Sequence, residues 1–226
     1  MPTLDSSTRD RIVNAATDLI MERGYDKTTM RAIAERAGVS LGSAYYYFGG
    51  KEELIQGFYT RIARETHERA AADMDEVKSF KKRLGLAFDA YLDTSAQYRA
   101  IADSLLSLAI VPTSPLSPFS DQSRPARSTF ITMYTEVVDG SDLKTDPRLR
   151  EALPELLWMV QMLITLGWVQ DLTDRQHVTR TLVTRLAPSL ARLFSVVRLA
   201  PFRPFVDDAL ASLATVKAGR DVAVEV

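Results

Sequence analysis

The sequence predicts an all-α protein, and three observations carry that reading. After Pro2 no proline occurs until Pro112, so the first half of the chain is free of the residue that breaks helices. Apolar residues there recur at steps of three and four, the period of a helix with one buried face. Nowhere do apolar and polar residues alternate between hairpin dipeptides such as Asn-Gly, the mark of paired strands.

Each element follows in order. Ile12, Ala15, Ala16, Leu19 and Ile20 form one apolar stripe, Ser7 and Asp10 make a cap, and Gly24 stops the helix, giving 8–23. Thr28 caps a short second helix with Ile33, Ala34 and Ala37 inward and Gly38 at its end. Ser40 caps a third that stops by Phe48, because Gly49 and Gly50 follow. A fourth opens at Lys51-Glu52-Glu53, where the helix dipole favours the carboxylates, and runs to about Asp75. Further helices are expected at 78–95, 98–110, 122–138, 149–171, 174–198 and 203–217, with a kink or break at Pro188. The prolines at 112, 115, 118 and 125 make 112–125 a loop.

Composition narrows the function. With 226 residues, 46% hydrophobic and 25% charged, the chain is neither disordered nor a bare coiled coil. The net charge of -1 removes any bulk nucleic-acid signal, so a basic footprint would have to be local. That balance also argues against a constitutive architectural DNA binder, whose affinity comes from phosphate neutralisation. With no cysteine, disulfides, thiolate metal sites and Cys nucleophiles are excluded. The N-terminus has no signal-peptide pattern. Leu153–Val169, interrupted by Pro154, Glu155 and Gln161, reads as too short and too polar for a membrane span. A soluble cytoplasmic protein without a membrane partner is expected.

The informative stretch is Thr28 to Lys51, TTMRAIAERAGVSLGSAYYYFGGK. Two short helices joined by a tight glycine turn make a helix-turn-helix, spanning 29–48, whose second helix can enter the DNA major groove. Small Ala34 and Ala37 let the helices cross closely, and Gly38 can take the positive φ the turn needs. The second helix carries Ser40, Gly42 and Ser43 beside Tyr45, Tyr46 and Tyr47. Tyrosine hydroxyls can hold phosphates, while side chains of the helix's first half read bases.

The spacing of Thr28, Thr29, Ile33, Ala34, Ala37, Gly38, Val39, Ser40, Gly42, Tyr45, Tyr47, Phe48, Lys51 and Leu54 resembles the tetracycline-repressor (TetR) family of transcriptional regulators. That resemblance implies phosphate contacts from Thr29, Tyr45, Tyr47 and Lys51, and base contacts near Leu41, Ser43 and Tyr46. With Thr28, Ser40 and Gly42 these form the expected DNA-facing set. Leu41 departs from the pattern, which often has a basic residue there. The resemblance further implies an N-terminal three-helix helix-turn-helix domain, 1–50, and a larger helical ligand-binding and dimerisation domain, 51–226. The partners implied are double-stranded operator DNA, a second copy of the chain and a small apolar effector, in a one-component regulator acting most simply as a repressor.

The C-terminal part supplies a pocket by composition. Leu156 to Trp168 is apolar nearly all round the helix, so several faces should be buried. Trp158, Met162 and the polar pair Gln161 and Thr165, with Phe88, Tyr91, Leu105, Leu108, Phe130 and Tyr134, form the expected ligand lining. Gln161 and Thr165 either orient a ligand or pair with each other or a neighbouring backbone. Soft aromatic and Met surfaces suit apolar ligands, with the 112–125 loop as entrance or lid. The surplus apolar surface of 149–171 and 174–198 is the expected dimer interface. His67 and His177 lack ligand spacing, His67 reading as a solvated helix face and His177 as the first turn of an interfacial or surface helix, and no nucleophile elbow or phosphate loop occurs. No metal, cofactor or catalytic residue is expected. The alternative is an all-helical carrier or enzyme for small hydrophobic molecules.

Overall fold

The computed structural model describes residues 6–215 except 198, 200, 202, 203, 205 and 209. The elements are α1 (Ser6–Arg23), α2 (Met30–Ala37), α3 (Leu41–Tyr47), α4 (Lys51–Met74), α5 (Phe80–Ala96), α6 (Arg99–Ala109), α7 (Arg124–Asp139), α8 (Pro147–Gln170), a 3-10 turn (Asp174–Gln176) and α9 (His177–Val196). No strand occurs among the described residues. Of the helix expected at 203–217, residues 204, 206–208 and 210–215 are helical, and the others lie outside the described residues.

Local chemistry moves several expected boundaries. Ser7 lies inside α1 rather than capping it. The cap of α2 is Thr29, not Thr28: Thr29 Oγ1 accepts from Ala32 N–H, whereas Thr28 is 1% exposed and its hydroxyl donates to the Gly24 carbonyl. Pro188 does not break its helix. The carbonyl it leaves without an amide partner belongs to Thr184, which is exposed, so water can satisfy it. The interruption falls earlier, where Arg175 and Gln176 take positive φ of 50° and 52° before α9 begins. Nor is α8 too short for a membrane span: by length and composition alone it could cross one. Its Leu153, Leu157, Trp158 and Ile164 are instead buried.

By contact the chain divides into two units, 1–62 with 97–126, and 63–96 with 127–226. The N-terminal unit is built on Ile12, Leu19, Ile33, Phe48, Leu54 and Ile55, fully buried. Gly57 lets α4 approach α1 closely, since a Cβ there would lie 3.1 Å from Val13 Cγ2. Arg61, on α4, donates to Asn14 Oδ1, Thr17 Oγ1 and the Tyr98 hydroxyl, tying α1 to the start of α6. Leu105 and Leu116 join this core, and Leu108 packs on it. The 112–125 loop is also fastened here, because Gln56 Nε2 donates to Pro115 O and Ser123 Oγ.

The C-terminal unit packs α5 on α9 and α8 on α9. Arg83 is buried and donates to the carbonyls of Met74, Val77 and Glu136, holding the ends of α4 and α7. His67, expected to be solvated, is half-buried, with Nε2 2.9 Å from Glu136 Oε2.

Candidate nucleic-acid interface and effector core

The turn between α2 and α3 follows from one glycine. Gly38 sits at φ +66°, the left-handed region that costs a residue with a Cβ about 1–2 kcal/mol. Its N–H donates to Glu35 O and that of Val39 to Ala34 O, closing the end of α2. Ser40 Oγ then accepts from Ser43 N–H and starts α3. Ala44 and Phe48 are buried beneath, so the two helices pack through small residues and one aromatic plug.

What α3 leaves outside is the candidate site. Tyr46 is 64% exposed and Tyr45 51%, with Ser40 and Gly42 also exposed. Thr29 faces solvent at the head of α2. Ser43 is half-buried, while Leu41 and Tyr47 lean partly on the core. Thr28 points inward, so its side chain is not offered at this surface, and that member of the expected set is corrected. Gly42 has no packing reason to be glycine, since a Cβ would meet only Ser40 Oγ at 3.9 Å.

Lys51 stands at the head of α4. Its Nζ donates to the Tyr25 carbonyl and lies 4.1 Å from the centre of the Tyr25 ring. The Tyr25 hydroxyl donates to Glu52 Oε1; burial and that carboxylate push its pKa up to about 12. Glu53 Oε2 accepts from Gly49 N–H and so caps the helix from within. Sequence reasoning missed Tyr25 as the platform for Lys51, because the two are far apart in the chain.

In the C-terminal unit, Phe88, Tyr91, Phe130, Tyr134, Trp158, Gln161, Met162 and Thr165 belong to one helical body. Phe88 meets Tyr134 edge-on and Tyr91 meets Phe130 likewise. The Tyr134 hydroxyl donates to Gln161 Oε1 at 2.8 Å. Thr165 donates to the Gln161 carbonyl and takes the Tyr91 hydroxyl at 2.7 Å. Burial pushes both tyrosines above their ordinary pKa, so they are neutral hydroxyls. Ser95, buried one helical turn after Tyr91 on α5, was missed. Leu105 and Leu108, expected in this lining, belong to the other unit. The loop 112–125, expected as a lid here, is likewise built onto that unit. Two clefts of the C-terminal unit, of about 300 and 960 Å³, are lined by 79–81, 142–144 and α9 residues and by Ala96 with 173–177 and Arg180. Of the expected lining in this unit, Phe88, Tyr91, Phe130, Tyr134, Trp158 and Gln161 are buried and Met162 and Thr165 half-buried, and none of them lines either cleft.

A capped helix-turn-helix with exposed tyrosines, followed by a helical body, defines a transcriptional regulator of the helix-turn-helix class. Residues 12–57 match the family model of bacterial regulatory proteins, tetR family, and residues 83–211 that of the tetracyclin repressor-like C-terminal domain. The chain belongs to the TetR family. It is 27% identical over 130 residues to the fatty acid metabolism regulator protein of Bacillus subtilis, covering 58% of this chain and 63% of that protein. It is 41% identical over 73 residues to the regulator TtgR of Pseudomonas putida, covering 31% and 34%. These matches thus span less than two thirds of either relative. Among solved structures, Thermus thermophilus FadR in complex with lauroyl-CoA aligns with TM-score 0.60 at 19% identity, covering 85% of this chain and 97% of that one.

Proposed function

We propose that the protein is a dimeric operator-binding repressor released by an apolar acyl ligand. The observation that carries the DNA reading is α3 itself, a Ser40-capped helix whose outward face is Gly42, Tyr45 and Tyr46 while Ala44 and Phe48 hold it from behind. In this reading Thr29, Tyr45, Tyr47 and Lys51 hold phosphates, and Leu41, Ser43 and Tyr46 read the groove edges. A helix of seven residues reads few base pairs, so two copies on half-sites are required.

The surface of the C-terminal unit supports the second copy. Leu163 and Leu166 of α8 and Val178, Leu182, Leu193 and Val196 of α9 are exposed, with Leu163 at 70%. Uncovered leucine and valine at helical spacing on adjacent helices suit a four-helix interface. For the effector, an aromatic and Met-containing core with few polar groups fits an alkyl chain. Relatives named for fatty acid metabolism and for a lauroyl-CoA complex favour an acyl thioester. Most of these side chains are buried, so an entering chain would displace them from one another.

The test is fluorescence anisotropy on DNA from the chain's own upstream region, with sedimentation beside it. A dimer is expected, with affinity in the range of specific regulators. Tyr47→Phe should cost ~1 kcal/mol on every sequence variant of the site, the worth of one hydrogen bond. Ser43→Ala and Tyr46→Ala should change which variants are preferred. A monomer at micromolar concentration, or equal losses for all three substitutions on every variant, would refute this assignment of roles.

A further inference from the structure

Among the described residues of the expected ligand lining, Gln161 is the one with a buried side-chain atom left without a hydrogen-bond partner. It is 0% exposed, in the middle of α8. Its Oε1 accepts from Tyr134 and its main-chain carbonyl accepts from Thr165, while Nε2 finds no hydrogen-bond partner among the described residues. None of the neighbouring hydroxyl oxygens accepts from it. Thr165 spends its proton on the Gln161 carbonyl, so the Tyr91 hydroxyl donates to Thr165, and the Tyr134 proton goes to Oε1. The network therefore satisfies its hydroxyl protons and the Gln161 oxygens but leaves the two N–H donors of Nε2 over. Buried atoms without partners among the described residues occur elsewhere too, Thr66 Oγ1 on α4 among them. Arg83 lacks a partner only at Nε while both its terminal nitrogens are engaged. A buried amide left unsatisfied costs stability, and the group that completes it must be an acceptor.

We propose that Gln161 Nε2 is the specificity-determining donor of the effector core, and that the effector is an apolar chain bearing a carbonyl oxygen that this amide receives. The proposal rests on the reading that the C-terminal core admits an apolar ligand, and it adds which chemistry is read there. A neutral carbonyl matches the site. The donor lies among hydroxyls that are themselves neutral, on tyrosines set edge-on to Phe88 and Phe130. A carboxylate would lose its hydration there at a much greater cost. A plain hydrocarbon would fill the same space but leave Nε2 as it is. Recognition of one oxygen thus separates acyl compounds from alkanes of equal length.

The experiment compares ligands that differ only in that oxygen. Lauroyl-CoA and S-dodecyl-CoA share headgroup and chain, but the second is a thioether without the carbonyl. 2-Dodecanone and dodecane form the same comparison without any headgroup. Calorimetric affinities are measured on the full-length wild type, on Gln161→Leu, and on Gln161→Leu combined with Tyr134→Phe. The double variant removes both partners of the Tyr134 bond and leaves no orphaned hydroxyl, so it tests the idea even where the single one fails to fold. Wild type should prefer the carbonyl member of a pair by about tenfold or more. In the variants that preference should fall to near unity while the thioether or alkane binds as before. Equal wild-type affinities within both pairs, or a preference that survives in the double variant, overturns the role of Gln161 and leaves an apolar pocket standing. If none of the four compounds binds, the pocket reading falls and this proposal with it.

Discussion

Gly42 separates what the fold needs from what the interface needs. Its surroundings leave room for a methyl, its φ is not in the left-handed region, and its Cβ would touch only Ser40 Oγ at 3.9 Å. Gly42→Ala should therefore fold, and gain up to ~1 kcal/mol from helix propensity. The same methyl would stand at the outer face of α3, where it would press on the DNA and cost ~1–3 kcal/mol of affinity. Thermal melting and anisotropy on one preparation check both signs. Unchanged DNA binding would remove Gly42 from the interface. Gly38 is the opposite case, since its φ of +66° makes it a requirement of the turn rather than of the ligand. At this scale the sequence was informative, because Gly38, Ser40 and Phe48 act on near neighbours. Thr28 and Thr29 were not separable by pattern alone. Which hydroxyl caps α2 depends on Thr28 turning back to Gly24.

Between α8 and α9 one carboxylate organises the junction. Asp171 Oδ1 accepts from the Thr173 N–H and hydroxyl, and Oδ2 accepts from those of Thr179 at 2.7 and 2.8 Å. Burial alone would raise the Asp171 carboxyl, but these bonds outweigh it and hold it well below the usual carboxylate range. A folded pKa below the unfolded one means stabilisation that is complete above ~3.9, the ordinary value, and is lost as pH falls through the folded one. Asp171→Asn should cost ~1–2 kcal/mol at neutral pH, with the gap to wild type narrowing in acid. Denaturant melts at pH values of about 7 and 3 read this, and an undiminished gap at the lower pH would contradict it. Helices were legible in the sequence because apolar period and glycine stops are local. The continuity of α9 through Pro188 was not, since proline is read as a break and here lies inside the helix. Nor was the placing of α6 and 112–125 in the N-terminal unit, which Arg61, Gln56 and the buried Leu116 bring about across long separations.

Across the whole molecule, the chain passes between its two units inside α4, before α6 and in the first turn of α7. With α6 and the 112–125 loop built onto the N-terminal unit, three covalent crossings are available to carry a ligand's effect. On the proposed reading, a ligand entering around Gln161 would press on α5 and α7, which meet two of those crossings. Half-sites one helical turn apart tolerate little displacement of the two α3 helices, so a coupling of ~1–3 kcal/mol suffices for a ~5–150-fold change in DNA affinity. Linkage makes the effect reciprocal. The most direct test is a calorimetric titration of lauroyl-CoA into the free protein and into its complex with upstream DNA. A ligand affinity weaker on the complex by ~5–150-fold is the expected result. Equal affinities would contradict the account, leaving a DNA-binding protein whose helical body does not regulate it.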